Sequence, residues 1–344
     1  MEIQKNVSLA DYSTMGLGGN ADYLAVIKER NDLVKALTWA ESNKQPIVVI
    51  GGGSNIIWSD QGFKGLVIVN EIHKYEIFKE DEENTYITIG SGENWDKVVE
   101  RTANAGLSGI EALSLIPGTS GATPVQNIGA YGQDISQTIT AVEVYDSKNK
   151  EFMMLTNADC AFGYRTSRFK TTDKGRFFIT GLTLHLRSTN MQPPFYESLS
   201  RYLSDNGISN YSPDSIRKAV IAIRSSKLPD PAKVKNCGSF FTNSIIPKEQ
   251  YNELKAKFSD MPHWLVGTDK VKIPAAWLIE KAGYKDYHDS ETGMATWVNQ
   301  PLVLVNEHAK STSDLLKFKA KIESAVLEKF GIKLEQEPEI VIIQ

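Results

Sequence analysis

Apolar and polar positions repeat with two different periods along this chain. Over 31–43 (NDLVKALTWAESN) apolar side chains fall at Leu33, Leu37 and Ala40, the spacing of a helix face. β-Branched runs predict strands at 46–50 (PIVVI), 65–70 (GLVIVN) and 86–92 (YITIGSG). A helix is predicted over 94–106, with Gly106 as its stop. Residues 107–140 lose the periodicity and fill with Gly, Pro, Thr and Ser. Strands resume at 141–146, 151–155 and 177–186, and the polar, proline-containing stretch 187–198 predicts a linker or loop. Helical spacing then dominates. One helix is predicted at 212–227, with Ser212 as N-cap and Ile216, Val220 and Ile223 inward. A second, 274–283, opens on proline and closes on glycine. A third, 313–331, lines up Leu315, Phe318, Ile322, Ala325 and Val326. Strands are predicted at 301–306 and 339–343. Strands with few intervening helices in the first half imply an α+β fold, not a regular βαβ array.

Length and composition narrow the function. A chain of 344 residues implies two or three domains, with core enough to need no staple. At 41% apolar and 23% charged it has the composition of an ordinary soluble protein. It contains no 18-residue apolar run, and its opening MEIQKNVSLADYS lacks a signal-peptide core. A net charge of −4 without a basic block argues against bulk nucleic-acid binding. Cys160 and Cys237 form no CxxC pair, and none of the five histidines sits in an HExxH or HxH spacing. Disulfides and metal catalysis are therefore not expected, and a reducing cytoplasm is the simplest location.

Five segments could carry chemistry. GGGSN at 51–55 follows a strand, yet no GxGxxG opens a helix and no Gly-Lys-Ser/Thr follows. Taken alone it is a tight hairpin turn; its bare backbone could also cradle a pyrophosphate. IPGTSGATPVQNIGAYG at 116–132 is glycine-rich and almost uncharged, suited to a large flat cofactor, with Gln126 and Asn127 as polar contacts. GYRTSRFK at 163–170 offers Arg165 as a fork for a carboxylate or phosphate. NCGSFFTN at 236–243 sets Ser239 between a glycine and two phenylalanines, outside any GxSxG elbow; alone it is a strand with a hydrogen-bonded serine. LEQEPEIVII at 334–343 places Glu339 against a closing apolar strand, where partial burial would raise its pKa.

These segments, with KLPDP at 227–231, occur in the order seen in the UDP-N-acetylenolpyruvoylglucosamine reductase family, which the sequence resembles from about Thr14 to Glu339. The resemblance implies an FAD-binding domain of the vanillyl-alcohol-oxidase (PCMH) type at 15–190, built of two α+β subdomains. A C-terminal α+β substrate-binding domain at 200–344 is implied too, its last strand packing back on the N-terminal subdomain. FAD would be held without a covalent tether, since neither glycine loop contains a histidine. Gly51, Gly52, Gly53, Ser54 and Asn55 would meet the pyrophosphate. Ile116, Pro117, Gly118, Thr123, Pro124, Gln126, Asn127, Gly129 and Ala130 would line the rest of the cofactor.

The family reduces its FAD with NADPH, and flavin N5 then gives hydride to C3 of the enolpyruvyl sugar nucleotide. The resemblance assigns Arg165 to the substrate carboxylate, Ser239 to protonation of C2, and Glu339 to assisting it, a task that suits a carboxyl of raised pKa. Tyr196, Lys227 and Asn243 would contact substrate; PPFYESL around Tyr196 departs from the family pattern. The partners implied are small molecules alone, acting on a monomer. Another FAD-dependent sugar or alcohol oxidoreductase of the same fold, or a non-catalytic nucleotide-binding module, is the alternative.

Overall fold

The computed structural model describes residues 1–341. The chain divides into two compact units. The first comprises Met1–Asn6, Asp22–Gly52 and Lys64–Ser225; the second comprises Val7–Ala21, Gly53–Phe63 and the chain from Ser226 onward. The division falls inside the first glycine run, between Gly52 and Gly53.

The first unit carries two sheets. One orders its strands Ile3–Ser8, Asn20–Ile27, Phe63–Asn70 and Ile47–Ile50. The helix Arg30–Ser42 covers it with Leu33, Ala36 and Ala40, against Ala25, Ile27, Leu66 and Ile68. The predicted hairpin at 51–55 does not form. Ile47–Ile50 and Phe63–Asn70 run parallel, with Ile47 opposite Leu66 and Ile50 opposite Val69. Parallel neighbours cannot be joined by a tight turn, so the glycine run leaves the sheet edge instead.

The other sheet is antiparallel, ordered Glu151–Thr156, Ile139–Asp146, Phe177–Arg187, Asn84–Gly90 and Tyr75–Lys79. The helix Trp95–Asn104, capped by the Asn94 side chain, packs Trp95, Val98 and Val99 into its core. Gly106 follows that helix at φ +73°, where a side chain would be strained. Between these elements and the glycine-rich loop lie only short 3₁₀ turns and two-residue strands. The linker stretch ends in a helix the periodicity did not predict, Glu197–Asp205, which buries only Leu199 and Leu203. With Pro213–Lys227 it forms a small core that includes Ala112.

The second unit centres on the strands Asn236–Ser239, Gln300–Asn306, Met294–Trp297 and His288–Asp289. Helix Thr312–Phe330 drives Leu315, Phe318, Ile322 and Val326 into the core, as its period predicts. Ser311 and Asp314 form a capping box at its start, and Asp60 accepts from the N–H groups of Thr312 and Ser313 at 2.6 and 2.9 Å. The last strand, Glu339–Val341, pairs in parallel with Ile56–Trp58. Residues 342 and 343 of the predicted strand lie outside the described residues. No helix among the described residues is long and apolar enough to cross a membrane.

One buried ion pair sets an acid limit on the antiparallel sheet. Asp146, fully buried, receives a fork from Arg176: Nη2 to Oδ2 at 2.7 Å and Nε to Oδ1 at 3.0 Å. That fork holds the Asp146 carboxyl at about 2. The unfolded value is about 3.9. The folded pKa is the lower one, so the pair stabilises the protein above the unfolded value, and this is lost as pH falls through about 2. Unfolding by denaturant at stepped pH should show stability falling across that interval. In Asp146→Asn that part of the slope should vanish.

Candidate active site

Two glycine segments face each other in the first unit. A Cβ on Gly51 would collide with Thr119 Oγ1, and one on Gly52 would lie 3.1 Å from Gly118 Cα. Only glycine lets these backbones approach so closely. Gly52 and Pro117 are exposed, so the paired loops present main chain to solvent. This side-chain-free surface fits a pyrophosphate and the edge of a flat cofactor. Gly53 belongs to the second unit; it is buried at φ +65°, where a Cβ would strike the Tyr12 carbonyl. Ser54 and Asn55 are half-buried beside it.

The remaining loop residues divide by what their side chains do. Ser120 donates to the Gly90 carbonyl, and Thr123 donates to the Ser120 carbonyl at 2.7 Å, which ties the loop to the antiparallel sheet. Ile116 and Ala130 pack partly buried against the sheet core, and Pro124 is buried. Asn127 donates to the Gly163 carbonyl at 3.1 Å and accepts from the Ser136 N–H at 3.1 Å. Its amide thus joins the glycine-rich loop to the turn that carries Arg165. Gln126 is half-buried next to it.

Arg165 sits in that turn at φ +53°, a strained conformation for a side-chain-bearing residue. Its Nη2 donates to the Gly129 carbonyl at 2.9 Å. Leu115 (φ +56°), Asn127 (+47°) and Tyr131 (+49°) share this left-handed geometry. Strain gathered on one loop cluster is a mark of functional sites. Tyr196, at the start of helix Glu197–Asp205, is 45% exposed and sets its ring edge-on to Tyr131, 5.9 Å between centroids.

Leu115 is held from both sides, by residues of two helices. Asp96 accepts its N–H at 2.6 Å, and also accepts from Arg217 Nη1 at 2.6 Å and Nη2 at 3.0 Å. Burial pushes the Asp96 carboxyl up, but these hydrogen bonds outweigh it and hold the pKa below the usual range. Arg224, two turns further along the Arg217 helix, donates to the Leu115 carbonyl at 3.3 Å. Neither arginine stands out in the sequence. Their recurrence beside Ile216, Val220 and Ile223 is the available signal, because it puts two cations on a buried helix face. Replacing Asp96 by Asn leaves the buried Arg217 with only its longer ion pair to Glu100, at 3.9 Å, which costs about 3 kcal/mol. Asp96→Asn should lose that much in denaturant titrations and release FAD at lower denaturant.

In the second unit, Ser239 ends the strand Asn236–Ser239, opposite Val303. Gly238 before it has φ +73°, and a Cβ there would meet nothing within 4 Å, so the backbone at the serine faces open space. Phe240 and Phe241 after it are fully buried, edge-to-face at 5.2 Å, and anchor the strand end. Among the described residues the Ser239 hydroxyl makes no hydrogen bond. Cys237 is buried, and burial pushes its thiol up to about 12, so it is no nucleophile at neutral pH.

The chain at 335–337 runs alongside this segment: Thr242 N–H donates to the Glu335 carbonyl, and Glu337 N–H to the Phe240 carbonyl, both at 2.9 Å. Glu339 follows, half-buried, its N–H donating to the Asn55 carbonyl at 3.0 Å. Asn243 Oδ1 accepts from Ala275 N–H at 3.1 Å and so caps helix Ala275–Lys281. Lys227 is exposed at the end of its helix. Among the described residues no group of three His, Cys, Asp or Glu could hold a metal.

Known proteins match this chain in two segments. The family model "FAD binding domain" matches residues 21–152. The model "UDP-N-acetylenolpyruvoylglucosamine reductase, C-terminal domain" matches 230–341. A reductase of that name from Flavobacterium johnsoniae is 37% identical over 99% of this chain and 100% of its own. Those from Chromobacterium violaceum and Cupriavidus pinatubonensis are 36% and 38% identical, over 99% and 97% of both chains. The crystal structure of the Thermus caldophilus enzyme superposes with a TM-score of 0.68 over 99% of both chains at 23% identity, a likeness of fold. The chain belongs to the UDP-N-acetylenolpyruvoylglucosamine reductase family of FAD-dependent oxidoreductases.

Proposed function

We propose that this protein reduces UDP-N-acetylglucosamine enolpyruvate to UDP-N-acetylmuramate, with NADPH as reductant, in cytoplasmic peptidoglycan precursor synthesis. Residues 15–190 hold FAD and 200–344 bind the sugar nucleotide, in a monomer. When bound, FAD supplies the hydride carrier between NADPH and C3 of the enolpyruvyl group. Gly51–Asn55 and the 116–130 loop hold it, through main chain more than through charge.

Hydride arrival at C3 leaves negative charge on C2 and its carboxylate. Arg165 meets that carboxylate. A fixed guanidinium there stabilises the transition state more than the ground state, because the charge grows during the step. Ser239 hands its proton to C2. A hydroxyl is a weak acid, so Glu339 assists by hydrogen bonding or by proton supply. Lys227 and Asn243 contact the substrate's polar groups, and Tyr196 covers it.

The observation that carries this reading is the Arg165 turn, held at positive φ and tied to Gly129 and Asn127 of the glycine-rich loop. A solvated surface arginine needs no such support. The test is product analysis. Purified protein with NADPH and the enolpyruvyl ether should yield UDP-N-acetylmuramate by mass spectrometry. Oxidation of NADPH without that product would favour an oxidase of the same fold.

A further inference from the structure

The first unit contains a cavity of about 340 Å³, and none of the residues lining it belongs to either glycine loop. It opens between the last turns of helix Arg30–Ser42, the start of strand Ile47–Ile50 and the antiparallel sheet. That strand reaches Gly51 only at its far end, so the cavity and the first glycine run lie at opposite ends of one strand. Leu37, Ile47 and Phe178 give the cavity apolar walls, and Tyr145 adds a second ring. Tyr145 is buried and set edge-to-face on Phe152, 5.0 Å between centroids, so its ring is fixed before anything binds. Among the described residues the Tyr145 hydroxyl makes no hydrogen bond. Gly175 stands at the edge, where a Cβ would meet nothing within 4 Å, so the main chain leaves the way in open. The volume is at the small end for ligand sites, with room for one ring and a short polar chain.

The charges at this cavity are one of each sign. Lys150 Nζ donates to both Glu41 oxygens at 2.9 Å. Both side chains are mostly exposed, so their pairing contributes little to stability and is readily exchanged. The lysine is held at the edge by its main chain, whose N–H donates to the Asp146 carbonyl at 2.7 Å. A lone anion reaching Lys150 would have Glu41 beside it, and a lone cation at Glu41 would have Lys150 beside it. Each attraction is then offset by a like charge. A molecule carrying both charges avoids this. Its ammonium takes Glu41, its carboxylate takes Lys150, and two ion pairs replace one.

We propose that this cavity is a second ligand site, and that it binds a free amino acid with an aromatic side chain. The ring lies against Tyr145 and Phe178, the ammonium on Glu41 and the carboxylate on Lys150. None of these residues is among those assigned to FAD or substrate, so the site is tested apart from the reaction proposed above.

The probe is 4-fluoro-L-phenylalanine, followed by fluorine NMR as it is titrated into FAD-loaded protein. Two analogues each carry one of its charges: 4-fluorophenylacetate and 4-fluorophenethylamine. The amino acid should bind saturably with a Kd of about 1 mM or tighter. It should bind about fivefold more tightly than either analogue, the upper worth of one exposed ion pair. Thr38 lines the cavity from an exposed helix position, and Thr38→Trp should fill the space and abolish binding. Glu41→Gln should weaken the amino acid about fivefold and leave 4-fluorophenylacetate no weaker. Lys150→Met should do the same to the amino acid and spare 4-fluorophenethylamine. The proposal is overturned if the amino acid does not saturate, or if either analogue binds as tightly. It is equally overturned if Thr38→Trp leaves binding unchanged, since the probe would then sit elsewhere. Should Thr38→Trp fail to fold, the two charge variants decide: a Kd for the amino acid that neither of them changes contradicts the proposal.

Discussion

Ser239→Ala should leave reduction of the enzyme by NADPH at its wild-type rate and slow reoxidation by the enolpyruvyl ether by about 10²–10⁴-fold, the usual contribution of a general acid. The asymmetry follows from where the proton is needed. In the proposed reaction only the second half-reaction creates a carbanion-like centre at C2. Local structure sets the position of the serine: Gly238 turns the backbone at φ +73°, and the buried Phe240–Phe241 pair fixes the strand end. Replacement by alanine disturbs neither feature, so the fold should survive. Stopped-flow absorbance of the flavin in separate half-reactions checks this. Equal slowing of both would remove Ser239 from the proton-donor role.

Arg165→Met should slow the same reoxidation step by about 10²–10³-fold, the size seen when one stabilising donor to a developing oxyanion is deleted. Arg165→Lys should recover part of the loss, because it keeps the charge without the fork. Arg165→Gly is the control for strain. Glycine adopts φ +53° freely, so the turn should be relaxed while the cation is gone. If the charge is what matters, Gly should be as slow as Met. If the strained turn matters instead, Met, which keeps the strain, should resemble wild type and Gly should be slow.

Legibility in the sequence followed the reach of the interactions. The helix Thr312–Phe330 was readable because its period repeats through several turns and both ends carry caps. The α+β class was readable for the same reason. The path after Ile50 was not. A glycine run between two strands suggests a hairpin locally, and only the parallel pairing of Ile47–Ile50 with Phe63–Asn70 shows otherwise. Short strands such as Trp264–Val266 and Lys270–Ile273 escaped because each is only a few residues long, and lysines interrupt the second.

The site divided along the same line. Glycine loops and the Arg165 and Ser239 segments announce themselves by composition and order. The clamp on Leu115 does not, since Asp96, Arg217 and Arg224 come from two helices far apart in the chain. Asn127 has a role that composition does not show: the fold uses its amide to hold Gly163 and Ser136.

The most direct test of the account is an anaerobic titration of the purified, FAD-loaded protein. One equivalent of NADPH should bleach the flavin, and one equivalent of UDP-N-acetylglucosamine enolpyruvate should then restore its colour with UDP-N-acetylmuramate as product. Flavin that bleaches with NADPH but stays reduced when the enolpyruvyl ether is added would contradict it.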